Sequence, residues 1–264
     1  MKLKELLKDV LTEKELKFAP SSFDVIGDIA IIEIPKELEK KEKKMGEQLL
    51  KFKHIKTVLK KEGKIENEYR TRNYKFLAGI DKRESLYLEY GCRFKLNLDK
   101  VYFSPRLGSE RDRIVKQVKV GEIVLVMFAG IGPYAIQIAK RSKAKIIYAI
   151  EINPVAVKYM EENIRLNKVG DKIKIFKGDV LKIIPKLEEK FDRIVMPLPK
   201  GNEDFLELAK KVAKKNAVIH FYTFAASKEE AIKKIDYKIK VLNCVKCGSY
   251  AKALYRFCVD FIFI

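Results

Sequence analysis

Residues 122–153 read EIVLVMFAGIGPYAIQIAKRSKAKIIYAIEIN, and they set the architecture of the second half of the chain. An apolar run ends in small residues, a helical pattern follows at Tyr134–Arg141, and a second apolar run ends at Glu151 and Asn153. Short apolar runs rich in β-branched residues predict buried strands. A helix between two such strands is typical of a parallel βαβ unit.

The same alternation continues to the end of the chain. Three further apolar runs, KIKIFKGDV, FDRIVMPLP and NAVIHFYTF, predict strands. Helices are predicted at Gly108–Lys119, Pro154–Asn167, Leu181–Glu188, Glu203–Lys214 and Ser227–Lys234. The tail CGSYAKALYRFCVDFIFI predicts a final antiparallel strand. We therefore expect an α/β domain over 106–264, built on a doubly wound, mostly parallel sheet.

Residues 1–105 have a different sequence pattern. The run SFDVIGDIAIIEIP predicts a hairpin, Lys36–Phe52 predicts an exposed amphipathic helix, and His54–Ser104 predicts short strands. This pattern favours a small α+β domain that precedes the α/β domain.

The charge balance favours a polyanionic partner. Lys and Arg number 56 against 36 Asp and Glu, a formal charge of +20, and such an excess is typical of nucleic-acid binding. A thermophilic surface is the alternative, because high Lys with high Glu and no Trp is also typical of thermophilic proteins. No apolar run is long enough for a membrane span or a signal peptide, so we expect a cytosolic protein.

The residues at the predicted strand ends point to a nucleoside. Gly130 and Gly132 allow the backbone to approach a ligand, Glu151 suits a ribose diol, and Asp179 suits an adenine amino group. Each has a simpler alternative, a tight turn for the glycines and a helix-end charge or cap for the acids. The third glycine of a dinucleotide fingerprint is absent, which favours S-adenosylmethionine.

Two other segments predict contacts with RNA. Tyr69–Arg72 and Tyr102–Arg111 interleave arginines with aromatic rings, a mixture that suits phosphates and unstacked bases. For Arg72 and Arg113 the simpler alternative is a solvated charge. Glu110 is a carboxylate in this basic region, so it is a candidate proton acceptor. Pro197 and Pro199 predict a stiff loop that walls a pocket for a flipped base or, equally, joins a strand to a helix.

Cysteine and histidine spacing does not predict a metal site. Cys244 and Cys247 form one C-x-x-C pair, whereas Cys92, Cys258, His54 and His220 are scattered singly. A structural zinc site needs a second ligand pair, so we expect buried thiols or a local redox pair.

Taken together, FDVIGDIAIIEIP, YRTRNYKFLAG, VYFSPRLGSER, MFAGIGPY, EINPVAVKYMEENIRLNKV and MPLP resemble the archaeal and eukaryotic type of tRNA guanine-37 N1-methyltransferase. This family has a Rossmann-like class I methyltransferase domain and uses S-adenosylmethionine. A related wybutosine-synthesis enzyme transfers an aminocarboxypropyl group from the same cofactor. The resemblance implies the methyltransferase reaction, with that transfer or catalytically silent tRNA binding as alternatives.

The resemblance also implies residue roles. Glu110 matches the base that removes the N1 proton of guanine, and Arg70 matches the arginine that supports charge on the base. The implied cofactor residues are Tyr102, Phe128, Gly130, Gly132, Glu151, Asp179, Val180 and Pro197. The implied substrate residues are Arg106, Arg111 and Pro199.

Three departures from the family pattern bear on these roles. Val126 stands where many class I methyltransferases have an acid, and Pro197 stands where this family often has Asn. We also expect that the chain, which begins close to the shared middle domain, does not include the domain with which many relatives read the outer corner of tRNA. We therefore expect recognition of the anticodon arm of tRNA. We also expect a monomer that does not bind DNA.

Overall fold

The computed structural model describes residues 3–63, 69–197 and 205–264, which belong to two compact units. The first unit contains the chain up to Glu89 together with Arg93–Pro105. The second contains Tyr90–Cys92 and Arg106–Ile264.

Among its described residues, the first unit contains three α-helices and a four-stranded sheet with the order β1-β2-β3-β4. Its helices are α1 (Leu3–Leu7), α2 (Glu13–Leu16) and α3 (Glu42–Leu49). The strands of its sheet are β1 (Asp24–Ile26), β2 (Ile29–Ile32), β3 (Thr57–Glu62) and β4 (Asn73–Gly79). Two further strands, β5 (Glu84–Glu89) and β6 (Cys92–Asn97), pair with each other.

The predicted hairpin is confirmed, since β1 and β2 pair antiparallel through a turn at Gly27, where φ is +59°. The predicted helix over Lys36–Phe52 is too long. Its first part is a 3-10 helix, Lys36–Lys41, and α3 ends at Leu49. Leu38, Met45 and Leu49 point into the core, so the segment is amphipathic as expected.

In the part of the second unit that the structure describes, a seven-stranded sheet has helices between its strands. The helices are α4 (Gly108–Gln117), α5 (Pro133–Arg141), α6 (Pro154–Asn167), α7 (Val180–Ile183), α8 (Leu206–Val212) and α9 (Lys228–Lys233). The strands are β7 (Ile123–Val126), β8 (Ile146–Glu151), β9 (Ile173–Lys177), β10 (Phe191–Met196), β11 (Ala213–Ala225), β12 (Ile239–Ala251) and β13 (Leu254–Phe263). None of the helices in the described ranges has the length and apolarity that crossing a bilayer requires.

The sheet order is β12-β13-β11-β10-β7-β8-β9. Strands β7 to β11 are mutually parallel, which confirms the predicted alternation. The chain steps outward from β7 to β9 and then returns to β10 on the other side of β7. Ligands of such folds bind at the carboxyl ends of the strands near this reversal.

Three details of this unit differ from the sequence predictions. The helix expected at Leu181–Glu188 is α7 followed by a 3-10 turn, Ile184–Lys186, because Pro185 lacks an N–H to continue the helix. Strand β11 begins at Ala213, inside the helix expected up to Lys214. The tail supplies β13, antiparallel to β11 as expected, and pairs it with an unpredicted strand, β12.

Candidate active site

The loop between β7 and α5 is shaped by positive φ angles. Phe128 has φ +53°, Gly130 +59° and Gly132 +88°. A Cβ at Gly132 would lie 2.9 Å from Met160 Cγ, so both the conformation and the packing require glycine there. A Cβ at Gly130 would meet nothing within 4 Å. The loop thus leaves open space above its backbone at the start of α5.

Glu151, the last residue of β8, ties this loop to the next strand. Its Oε2 accepts from the Gly130 N–H at 2.7 Å, and its Oε1 accepts from the Asn153 N–H at 2.8 Å. Burial raises the pKa of Glu151 against the opposing effect of these backbone bonds. A carboxylate has about four acceptor positions, so capacity remains for the hydroxyls of a ligand.

The third strand end joins the same cluster. The Gly178 N–H donates to the Glu151 carbonyl at 2.9 Å, and Asp179 follows as the N-cap of α7. One Asp179 oxygen accepts from the Leu181 N–H at 2.9 Å, and the described residues place no hydrogen bond on the other. Asp179 can therefore cap α7 with one oxygen and accept from a ligand with the other. One carboxylate can accept from the hydroxyls of a diol and the other from an amine, and both lie beside open backbone. This combination suits a nucleoside.

The other residues predicted for the cofactor and the base differ in position. Val180 is 3% exposed and packs in the core, which leaves only its backbone for a ligand. Pro197 directly follows β10 and is half-buried. Phe128 lies in the glycine loop, where its ring meets Phe205 edge to face at a centroid distance of 5.0 Å. Pro199 lies outside the described residues.

Glu110 lies in the first turn of α4 and is 4% exposed. Arg113 donates to both of its oxygens, Nε to Oε2 at 2.7 Å and Nη2 to Oε1 at 2.8 Å. The Tyr222 hydroxyl donates to Oε1 at 2.7 Å, and the Tyr134 hydroxyl donates to Tyr222 at 2.9 Å. The described residues therefore fill three of about four acceptor positions. One remains for an incoming proton.

The ion pair continues behind Glu110 through four more charged or polar side chains. Arg113 also donates to Asp260, with Nη2 3.1 Å from Oδ1. His220 Nδ1 is 2.6 Å from Asp260 Oδ1, and His220 Nε2 is 2.7 Å from Arg193 Nη1. Arg193 in turn donates to both oxygens of Glu122. We call the set of Glu110, Arg113, Asp260, His220, Arg193 and Glu122 the buried ion network.

The geometry assigns the protonation state of His220. A guanidinium can only donate, so Nε2 accepts and has no proton, whereas Nδ1 faces a carboxylate and has one. His220 is therefore neutral. Burial lowers the pKa of His220, and Arg193 and Arg113 reinforce this against the pull of Asp260. For Asp260, the bonds from His220 and Arg113 outweigh burial and lower its pKa.

Sequence reasoning missed most of this network. Arg113, for which a solvated charge was the simpler alternative, instead bridges two buried carboxylates. Arg193, His220 and Asp260 each interrupt an apolar strand, in FDRIVM, VIHFYTF and FCVDFIF. A charged or polar residue inside a buried strand needs a partner, and this was the available signal.

Three side chains of this region have potential metal-ligand atoms close together. The ligand atoms of His220, Cys258 and Asp260 lie within 4.8 Å of one another. However, His220 Nε2 faces the Arg193 guanidinium, and Asp260 accepts from Arg113. Two guanidinium groups already supply the positive charge that a cation would bring. The cluster thus functions as a hydrogen-bonded ion network.

Arg70 and Tyr102 meet in the first unit. The Arg70 guanidinium lies 5.5 Å from the centroid of the Tyr102 ring, and Arg70 has φ +57°. A non-glycine residue in this conformation is strained, and such strain is found at functional sites. Of the two arginines predicted to contact the substrate, Arg106 is exposed, whereas Arg111 is 2% exposed and does not face solvent.

The doubly wound sheet, the glycine loop and the carboxylates at successive strand ends define a Rossmann-like class I methyltransferase fold. Residues 85–246 match the TRM5/TYW2 methyltransferase domain, and residues 3–82 match the TYW2 N-terminal domain. The chain belongs to the TRM5/TYW2 family, which confirms the resemblance seen in the sequence.

Relatives in this family have two named chemistries. The chain is 43% identical to the tRNA (guanine(37)-N(1))-methyltransferase Trm5b of Pyrococcus abyssi, over 93% of this chain and 76% of that protein. It is 33% identical to the tRNA(Phe) (4-demethylwyosine(37)-C(7)) aminocarboxypropyltransferase of Pyrococcus horikoshii, over 98% and 95%. Among solved structures, a complex of aTrm5 with tRNALeu matches 98% of this chain and 77% of that one, with 35% identity and a TM-score of 0.87.

Proposed function

We propose that the protein transfers a methyl group from S-adenosylmethionine to N1 of guanosine 37 in tRNA. One observation carries the proposal: Glu151 binds the glycine loop through backbone N–H groups and keeps acceptor capacity, in a chain that is 43% identical to a methyltransferase of this specificity. Glu151 would bind the ribose diol and Asp179 the adenine amino group. When bound, the cofactor supplies an electrophilic methyl group on a sulfonium.

The target nitrogen explains the need for a base. N1 of guanine has a proton at neutral pH and is a poor nucleophile until that proton leaves. We assign the acceptor role to Glu110, which has one acceptor position left after Arg113 and Tyr222 have bound. As the proton leaves, negative charge moves toward O6, and we assign its stabilisation to the Arg70 guanidinium.

We propose that residues 1–105 bind RNA together with Arg106. Tyr102 offers an exposed ring beside Arg70, an arrangement suited to a base or to the cofactor. We further propose that the anticodon arm is the recognised part of tRNA, because guanosine 37 adjoins the anticodon. DNA is not an expected substrate. The protein is proposed to act as a cytosolic monomer.

Aminocarboxypropyl transfer is the second candidate, because residues 3–82 match the TYW2 N-terminal domain. Two cofactor samples separate the candidates, one labelled in the methyl group and one in the carboxylate carbon. With an unmodified tRNA transcript we expect only the methyl label to enter RNA, and nucleoside mapping to place it on guanosine 37. Entry of the carboxylate label into a wyosine-precursor tRNA would instead establish the second activity.

The base assignment has its own test, Glu110→Gln. Loss of a general base costs about 10² to 10⁴ in rate, so methyl incorporation should fall by that factor. Cofactor affinity, measured by calorimetry, should stay within about two-fold, because Glu110 is not among the proposed cofactor residues. Turnover equal to that of the wild type would refute the role of Glu110.

A further inference from the structure

The hairpin of β12 and β13 contains a strongly basic stretch that the proposed reaction does not use. Between Asp236 and Asp260 the sequence has no acidic residue. The cations in this interval are Lys238, Lys240, Lys246, Lys252 and Arg256. Within the described ranges, no carboxylate forms an ion pair with Lys246 or Lys252. This segment therefore concentrates positive charge in one element.

The turn of this hairpin lies at the same edge of the sheet as the candidate cofactor residues. Strand β11 is parallel to β10 and β7, so its end, Ala225, lies at the carboxyl edge. Ala225 pairs with Tyr255 near the start of β13. Residues 246–256, which we call the hairpin tip, therefore extend from the edge that bears the glycine loop.

The hairpin tip also presents aromatic rings. Tyr250 is 60% exposed, and its ring centroid lies 4.2 Å from that of Phe224. The Phe224 ring therefore packs against the Tyr250 ring and supports it. Lys246 Nζ lies 3.1 Å from the centroid of the Tyr255 ring. Supported rings between cations are how proteins bind unpaired nucleotides, with bases stacked on the rings and phosphates held by the cations.

We propose that the hairpin tip binds unpaired nucleotides of the substrate RNA next to the target base. The inference rests on the proposed function for the identity of the RNA. The observations favour RNA over a protein partner, because the segment combines a carboxylate-free charge excess with a supported, exposed ring at the edge of the candidate active site.

The test compares matched charge and ring variants. Lys246→Gln/Lys252→Gln removes two charges at the hairpin tip, and Lys143→Gln/Lys145→Gln removes two exposed charges before β8, at the opposite edge. Affinity for unmodified tRNA is measured by fluorescence anisotropy at several NaCl concentrations. We expect the first pair to weaken binding about ten-fold and to reduce the slope of log K against log[salt] by about 1.5. In the control pair, neither the affinity nor the salt slope should change by more than about a third of those amounts.

A ring pair completes the design. Tyr250→Ala should weaken tRNA binding about ten-fold through loss of base stacking, whereas Tyr250→Phe keeps the ring and should stay within about two-fold. Cofactor affinity should not change in any of these variants, and the mass in solution should equal that of the wild type.

Three outcomes would overturn the inference: unchanged tRNA affinity in the hairpin variants, an equal loss in the control pair, or a change of mass showing that this surface joins two copies. Failure of the proposed function has a different signature. In that case the wild type incorporates no methyl label into tRNA, whatever the hairpin variants bind.

Discussion

The glycine loop with Glu151 and the buried ion network lie in the same α/β unit and are held in different ways. Glu151 accepts from backbone N–H groups of Gly130, in the loop after β7, and of Asn153, just after β8. Around Glu110 they are side chains from α4, β10, β11 and β13, and Arg113 and Asp260 are 147 residues apart. The first arrangement forms once the neighbouring strands β7 and β8 pair, whereas the second needs side chains from four elements that are far apart in the chain.

This difference has a consequence for stability and for chemistry. Backbone donors are fixed by the strand and loop, so a ligand can bind Glu151 without a rearrangement of neighbouring side chains. The side chains of the ion network satisfy one another, and removal of one leaves a charge buried without its partner. We expect the network to respond to mutation with loss of stability and the glycine loop with loss of affinity.

The largest effect is expected for Arg113→Met. This change leaves Glu110 and Asp260 buried without their shared counterion, which typically costs about 3 to 5 kcal/mol. Denaturant unfolding would measure the loss. Lys116→Met on the same helix is the control, because the Lys116 side chain is 72% exposed in its pair with Asp112 and should cost less than about 1 kcal/mol. Equal losses of stability in the two variants would show that the buried ion network stabilises the protein no more than an exposed ion pair does.

For the glycine loop we expect Glu151→Gln to weaken S-adenosylmethionine binding about 10- to 100-fold. Hydrogen bonds to a charged acceptor contribute about 1.5 to 3 kcal/mol, and the amide can accept at only one of its two terminal atoms. Titration calorimetry gives the affinity directly. Glu161→Gln, an exposed carboxylate on α6, should bind like the wild type. If Glu151→Gln also binds normally, Glu151 has only a structural role.

The smallest effect concerns pH. The pKa of His220 is lowered in the folded protein from an ordinary value of 6.5, so the unfolded chain binds more protons than the native state below about that pH. Stability therefore falls as pH drops through 6.5, by at most about 1.4 kcal/mol per unit. Asp260, whose pKa is also lowered, adds a further loss below its ordinary 3.8.

His220→Gln keeps an amide donor and acceptor but cannot titrate. Its free energy of unfolding should consequently change less between pH 6.5 and 5 than that of the wild type, as measured by urea unfolding at each pH. The only other histidine, His54, has an exposed side chain, and His54→Gln should retain the wild-type slope. Identical slopes in all three proteins would contradict a neutral, buried His220.

Regular hydrophobic patterns identified most of the fold. The five parallel strands and the hairpin of β1 and β2 were predictable, because a buried strand needs an apolar run and a turn needs its glycine. Strand β12 was not predictable by this means. It lies at the edge of the sheet, and its register shifts between Val241 and Asn243 and again between Lys246 and Gly248, which destroys the alternation that marks a strand.

The candidate site likewise contains residues that the sequence predicts and residues that it does not. Gly130, Gly132, Glu151 and Asp179 lie at or shortly after strand ends, so their sequence positions alone place them at one edge of the sheet. Asp260 interrupts an apolar strand and so needs a buried partner, but the sequence does not identify Arg113 as that partner, because this depends on which strands become neighbours. Glu110 was predicted as a proton acceptor in a basic region, but the arginine and the tyrosine that hold it were not predicted.

The sequence by itself determined the α/β class, the strand ends that suit a nucleoside and the excess of positive charge, because these depend on residue type and local spacing. Only the tertiary structure decided which charges are buried, which protonation state His220 adopts and where the basic hairpin ends. Each of those depends on contacts between strands far apart in the chain, and a buried charge is tolerated only where such contacts supply its partner.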